Sequence, residues 1–359
     1  MLRTALIGFP ASGKTTLFRL MTSAKEGGRP PKGDANFGVA KVPDTRLDRL
    51  TAMFEPRKHV PAQVEFADVA AAGKTTAQSL LDVASFRNAD ALLHVVRAFR
   101  DPSVPHAAGS IEPRRDAQLM EDELLLADLG VTERRVERID RDLKKGLGDE
   151  LRREREVLLR CKEWLERGQA LRALDLLGED MKRLRGFQFL SSKPLLVVIN
   201  LDESDVRQAD RAVELANLKD FVAGAATRAV PVCAKIELEI SGLEPADAES
   251  FLNDLGLRES GLARVIRASY DLLGYVSFFT VGEDECRAWS IPRGTPAQLA
   301  AAEIHSDIAR GFIRAEVVPY DLLIARGSLN ACRDHGEMRL EGKDYVVQDG
   351  DVINFRHAT

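Results

Sequence analysis

The chain is poor in the features that would place it outside an ordinary globular interior. Among 359 residues there are only four cysteines, Cys161, Cys233, Cys286 and Cys332, and no two form a C-x-x-C pair. That pattern offers no disulfide framework, and a core of this size needs no staple, so reduced and mostly buried thiols are expected. No stretch approaches the ~20 apolar residues of a membrane-spanning helix. The apolar start, Leu2 to Ile7, is cut by Gly8 and Pro10, too short for the hydrophobic region of a signal peptide. A cytoplasmic protein without membrane contact is expected. Positive charge is not in excess: 51 Lys and Arg against 56 Asp and Glu give a net charge of -5. This argues against a broad, non-specific nucleic-acid surface and leaves room for a local basic patch. Internal repeats are absent.

What is present divides into segments. The length predicts two or three domains. Residues 2–7 read as a buried strand, followed by a glycine-rich turn and a helix from Lys14 to Thr22. The polar segment Ser23 to Asn36, rich in Gly, Pro and Lys, reads as a loop. Val64 to Val69 alternates like a half-buried strand, while Ala91–Val96 and Pro194–Ile199 are continuous apolar runs suited to interior strands of a parallel sheet. Strands alternating with helices predict an α/β, doubly wound nucleotide-binding domain, residues 1–118 and 190–274. Between its halves, residues 119–189 are charged and helical, with no proline between Arg115 and Lys193. Leu129, Val136, Ile139 and Leu143 on one side of Gly146-Leu147-Gly148, and Leu151, Leu158, Cys161 and Leu165 on the other, predict a coiled-coil hairpin of two helices of about four turns each. Residues 275–359 read as a small α+β module, with turns at Arg293-Gly294 and Asp349-Gly350 and one helix near residues 296–310.

Chemistry is carried by Gly8-x-x-x-x-Gly13-Lys14-Thr15, a Walker A phosphate loop placed after a strand and opening a helix. Its glycines let backbone N–H groups turn toward phosphate, and the helix N-terminus adds its dipole. The expected phosphate set is Gly8, Pro10, Ala11, Ser12, Gly13, Lys14, Thr15 and Thr16, with Lys14 the catalytic charge on the β- and γ-phosphates. Thr15 and the strand-ending Asp68 are the expected Mg²⁺ residues; the plainer alternative for Asp68 is a turn or helix-cap carboxylate. Base recognition is expected from Asn200, Leu201 and Glu203, where GTPases carry Asn-Lys-x-Asp, and from Cys233, Ala234 and Lys235 after the next strand, Ala229–Val232. Glu203 is one methylene longer than the aspartate that reads guanine, and Leu201 replaces the lysine beside the base, so ATP and GTP both remain candidates. After Asp68, GTPases have glycine where this chain has Ala71, and Ala72 cannot orient water as a glutamine does; weak or unusually organised hydrolysis follows.

Taken together these residues resemble the YchF family of Obg-like ATPases, across essentially the whole chain. The resemblance is carried by Val42-Pro43-Asp44-x-Arg46-Leu47, by Asn200-x-x-Glu203, by the helical insertion, by Ala288-Trp289 through Thr295, by Ile304 to Asp307, by Gly311 to Glu316, and most specifically by Leu340 to Asp351. It implies that residues 275–359 form a ubiquitin-like TGS domain. It also implies a protein that binds ATP at least as well as GTP, hydrolyses it slowly with Mg²⁺, and associates with the ribosome or ribosomal RNA. The chain departs from the family at Ala71 and at Lys32, which stands where a switch threonine is expected.

His94 reads as a satisfied core histidine rather than a base, and His305 as a structural hydrogen bonder. Lys74 is placed either near phosphate or in solvent, and Arg287, Arg293, Arg310 and Arg314 are RNA contacts or ordinary surface arginines. The resulting expectation is a monomeric, nucleotide-switched NTPase of the translation machinery, with segments 23–42 and 69–85 as its switches. A non-hydrolysing, nucleotide-dependent ribosome or RNA-binding module is the alternative, and an RNA binder with a vestigial site is a third reading.

Overall fold

The computed structural model describes residues 2–22, 35–69, 86–145 and 148–358. In chain order the elements that matter are β1 (Arg3–Ile7), α1 (Lys14–Thr22), β2 (Ala35–Lys41), α2 (Thr45–Phe54), β3 (Lys58–Val60), β4 (Gln63–Val69), β5 (Ala91–Arg97), β6 (Leu195–Asn200) and β7 (Thr227–Val232). They are followed by β8 (Tyr275–Thr280), β9 (Glu285–Pro292), β10 (Phe312–Pro319), β11 (Arg339–Glu341) and β12 (Asp351–His357). The chain divides into two compact units: Met1–Ala40 with Glu65–Leu272, and Lys41–Val64 with Leu273–Thr359. The segment 41–64, expected in the nucleotide-binding domain, therefore clusters with the C-terminal module.

The first unit is built on a six-stranded sheet in the order β2-β4-β1-β5-β6-β7. β1 pairs in parallel with β4 and β5, and β5–β6 and β6–β7 are parallel too. The chain leaves β1 first toward one side of the sheet and later toward the other, so the topological switch lies beside β1 and opens a crevice at the strands' carboxyl ends. Every residue of β5 and β6 is buried. Their apolar runs lack alternation because both faces are covered.

The long helix Pro113–Leu143 belongs to two cores at once. Its first turns bring Ala117, Met120 and Leu124 against Ile7, Leu92, Val96 and Val197 of the sheet. Further along, Leu125, Val136 and Ile139 pack on Val157, Leu158, Cys161 and Leu165 of the helix Asp149–Glu166. The first hairpin helix is 31 residues, about twice the expected length, because it runs on from the sheet layer without a break. Leu129, Leu143 and Leu151 are only partly buried. Arg135–Glu154 at 2.6 Å and Arg155–Asp140 at 2.5 Å join the two helices along their flanks. Asp128, wholly buried, accepts the N–H groups of Leu190 (3.0 Å) and Ser191 (2.7 Å) and the Ser191 hydroxyl (2.7 Å), tying the hairpin to the loop that enters β6. Burial nonetheless pushes its carboxyl up, against the pull of those hydrogen bonds.

The second unit holds another six-stranded sheet, β11-β10-β12-β8-β9-β3, in which β8–β9, β10–β12 and β10–β11 are antiparallel while β12–β8 and β3–β9 are parallel. The Val42-Pro43-Asp44-x-Arg46-Leu47 stretch finds its reason here. Asp44 caps α2 by accepting from the Arg46 N–H at 2.9 Å, and the Arg46 guanidinium is clasped by Asp44 (2.8 Å) and Asp349 (2.8 Å). Asp349 also accepts from the Ser277 N–H at 2.9 Å. Instead of one helix near residues 296–310 there are two, Ala297–Ile304 and Ser306–Arg310, broken at His305, whose Nδ1 accepts from the Asp307 N–H at 3.2 Å. Tyr320–Arg326 and Leu329–Asp334 are further helices, of seven and six residues, too short to show a period in sequence.

All four cysteines are free and buried. Of the expected loop Ser23–Asn36, Ala35 and Asn36 belong to β2 and the rest lies outside the described residues. Among the described residues no helix is long and apolar enough to cross a membrane.

Candidate nucleotide-binding site

β1 delivers the chain to the crevice, and residues 8–13 turn it into α1. Gly8 has φ +143°, and a Cβ there would lie 2.5 Å from the Val95 carbonyl oxygen. Gly13 has φ +98°, and its Cβ would collide with the Asn200 amide. Ala11 is left-handed at φ 59°, a conformation that costs an L-residue about 1–2 kcal/mol. Strain held at such a loop is a mark of a functional turn. Pro10, Ala11, Thr15 and Thr16 are exposed, whereas Ser12 is buried with its hydroxyl unpartnered among the described residues. The first N–H groups of α1 lack intrahelical partners and open onto the same space.

Lys14 folds back over the loop and donates to the Gly8 and Phe9 carbonyls at 2.8 and 2.7 Å. Burial lowers its ammonium to about 8, with the Asp68 charge working in the opposite direction. Asp68 is 4% exposed near the end of β4, opposite Leu6 of β1. Thr15 hydroxyl and Asp68 carboxylate are hard oxygen donors, on α1 and β4, of the kind that suits Mg²⁺. No group of three or more His, Cys, Asp or Glu side chains placed to hold a metal ion occurs among the described residues. Two protein oxygens are what a magnesium site completed by water and substrate phosphate requires.

The second half of the site starts where β6 ends. Asn200 is 3% exposed and bridges two loops: its Nδ2 donates to the Ser12 carbonyl at 3.0 Å, and its Oδ1 accepts from the Ala234 N–H at 3.0 Å. Beside it lies a pocket of about 520 Å³, whose wall includes Gly13, Thr16, Leu201, Glu203, Cys233, Ala234 and Lys235. Glu203 and Lys235 form an ion pair across its mouth, and the pairing raises the Lys235 ammonium. The loop Phe99–Pro102, which sequence reasoning did not single out, supplies the opposite wall. Asp202 turns away to accept the Arg100 and Ser204 N–H groups at 3.0 and 3.2 Å.

His94 is 1% exposed, between Ile7 and Val197 in the sheet. It is a core residue, as expected, but not a satisfied one: Nε2 has no partner among the described residues. Desolvation, then the nearby Lys14 charge, depresses its pKa to about 3, so it stays neutral and is no base near neutrality. A second histidine was not signalled by sequence. The His106 side chain is 5% exposed, its Nδ1 accepts from the Ala108 N–H at 3.1 Å, its Nε2 meets Asp116 at 2.9 Å, and its ring lies 6.4 Å from that of Phe9. No motif marks it; only the fold brings residue 106 under the loop. Lys32, Ala70, Ala71, Ala72 and Lys74 lie outside the described residues.

Comparison with known proteins adds lineage to this geometry. Residues 275–358 match the family model YchF-GTPase_C, described as a protein of unknown function (DUF933). Over 362 residues the chain is 40% identical to the Ribosome-binding ATPase YchF of Bacillus subtilis (strain 168), covering 99% of each. The chain belongs to the YchF family. The Escherichia coli O157:H7 relative of the same name is 37% identical over 360 residues, covering 98% of each chain. The Schizosaccharomyces pombe YchF GTPase structure superposes with a TM-score of 0.85 at 27% identity, covering 99% of this chain and 97% of that one. The fold is that of a YchF-type P-loop NTPase with a C-terminal domain.

Proposed function

We propose that the chain binds Mg²⁺-complexed ATP or GTP across the β1–β6 crevice, hydrolyses it slowly, and reports nucleotide state to the ribosome. The carrying observation is the Asn200 bridge, which ties the loop at Ser12 to the pocket wall at Ala234 and so supports reading them as one site. Gly8, Pro10, Ala11, Ser12, Gly13, Thr15 and Thr16 would surround the phosphates. Lys14 would move from the Gly8 and Phe9 carbonyls onto the β- and γ-oxygens and serve as the catalytic charge. Mg²⁺, held by Thr15 and Asp68, would neutralise charge on the β- and γ-phosphates. Leu201, Glu203, Cys233, Ala234 and Lys235 would enclose the base. Glu203 is paired through Oε2 with Lys235, so guanine would compete with that ammonium for the carboxylate, which supports binding of ATP at least as well as GTP. Ala72 supplies no group to orient water, which supports a slow intrinsic rate.

The ribosome enters from the names of the Bacillus subtilis and Escherichia coli relatives, and with it a cytoplasmic location. The helical hairpin and the C-terminal module, which we read as a TGS domain, would form the partner surface of a monomer. Phosphate release from Mg·ATP, with and without purified 70S ribosomes, tests the proposal: slow release abolished by Lys14→Ala is expected. Release that persists in Lys14→Ala would refute it. Tight nucleotide binding without release would favour the non-hydrolysing module, a reading supported by Ala71 and Ala72.

A further inference from the structure

At the opposite, amino ends of β5 and β6 lies a larger concavity, of about 620 Å³, formed by residues 87–90, 171–176 and 181–193. Its floor is apolar, with Leu171, Leu184 and Phe189 buried at 3%, 7% and 3% exposure. On its rim Met181 is 60% exposed, and Leu177, one helical turn earlier, is 75% exposed. Two large apolar side chains exposed to water, Leu177 at the N-cap and Met181 within the helix Gly178–Leu184, beside an apolar floor are a recurring mark of an interaction site.

The charges of the wall are cationic in balance. Arg172 is neutralised by Glu121. Lys193 donates to the Arg87 and Ala89 carbonyls (3.0 and 2.5 Å), and Arg87 to the Phe187 carbonyl (3.1 Å); neither has a carboxylate within ion-pair reach among the described residues. Arg185 is exposed and likewise has no ion pair among the described residues. Burial lowers the Lys193 ammonium, with the Asp90 and Asp128 charges working in the opposite direction. Against these three stand Asp90 and Asp175 on the wall and, within charge range of Arg87 and Lys193, the buried Asp128. An RNA strand fits poorly: the wall has two carboxylates and no exposed aromatic face, since Phe187 stacks on the buried Phe189 at 5.3 Å. Aliphatic and methionine side chains on a wall whose cations outnumber its carboxylates match an amphipathic protein segment with acidic flanks.

We propose that this concavity docks a short, acidic, amphipathic segment of a partner protein, whose apolar side chains enter the Leu171–Phe189 hollow while its carboxylates meet Arg87, Arg185 and Lys193. The site lies at the far end of the sheet from the phosphate loop and is independent of nucleotide binding.

The probe is a fluorescein-labelled peptide with Leu at i, i+3, i+4 and i+7 and Glu or Asp between, titrated by anisotropy against the full chain. It should bind more tightly than a counterpart with Lys in place of the acids. Affinity should fall about tenfold or more in Met181→Glu and in Arg185→Glu, both exposed positions whose variants keep the wild-type unfolding midpoint and ATP affinity. Equal or tighter binding of the Lys peptide, or unchanged affinity in Met181→Glu, overturns the proposal. So does a single-stranded RNA oligonucleotide that binds in the peptide's place and is lost in Arg185→Glu, an outcome that would assign the wall to nucleic acid.

Discussion

The low Lys14 pKa makes nucleotide affinity a function of pH, with a sign fixed by linkage. In the free protein the ammonium loses its proton near 8, because burial over the loop disfavours the charge more than Asp68 restores it. Triphosphate beside it favours the charged form and should return the pKa at least to the ordinary 10.5. Binding therefore takes up a proton above pH 8, and affinity falls as pH rises. With those two values Kd should rise about 70-fold between pH 7 and pH 10, about 2.5 kcal/mol, while the nucleotide phosphates, with a second pKa of about 6, stay ionised throughout. Titration calorimetry in buffers of different ionisation enthalpy should register uptake of nearly one proton at about pH 9. Lys14→Arg, which keeps its charge over this range, should show a flat profile whatever its absolute affinity. A flat wild-type profile, or an equal slope in Lys14→Arg, would refute the reasoning.

Other outcomes follow from the same geometry. Asn200→Ala leaves the Ser12 carbonyl and the Ala234 N–H without their partner and should lower unfolding free energy by about 2–4 kcal/mol in urea titration, with a parallel loss of ATP affinity. Gly13→Ala should reduce ATP affinity at least about tenfold, while Gly109→Ala, also at positive φ but with nothing near its Cβ, leaves affinity intact. Arg46→Met releases Asp44 and Asp349 and should destabilise the second unit by about 1–3 kcal/mol, seen as faster hydrogen exchange in α2 and β8.

Much of the first unit was legible because its signals are local. The phosphate loop, the start of α1 and the apolar runs of β5 and β6 each declare themselves within about ten residues. Where packing partners are remote, sequence falls short. The long helix Pro113–Leu143 changes partners midway, so the heptad spacing of its distal half concealed its continuation into the sheet core. Segment 41–64 reads as part of the nucleotide domain by chain order, yet Asp349, three hundred positions away, holds Arg46 in the other unit. Of the residues named from motifs, Ser12 and Ala234 are hydrogen-bonded to Asn200, and Gly13, Thr16, Leu201, Glu203, Cys233 and Lys235 line the pocket beside it. His106 and the Phe99–Pro102 wall escaped because their placement arises only from the loop that returns near Phe9 and beside the pocket at Asn200.

The central claim is that one crevice holds phosphate at Gly8–Thr16 and purine beside Glu203 and Lys235. It is tested most directly by competing ATP against GTP, with Mg²⁺, on nucleotide-free protein, wild type and Lys235→Met. ATP bound at least as tightly as GTP by wild type, with the balance shifting toward GTP once Glu203 is released in Lys235→Met, is the predicted result. A strong wild-type preference for GTP, or a ratio unmoved by Lys235→Met, would contradict it.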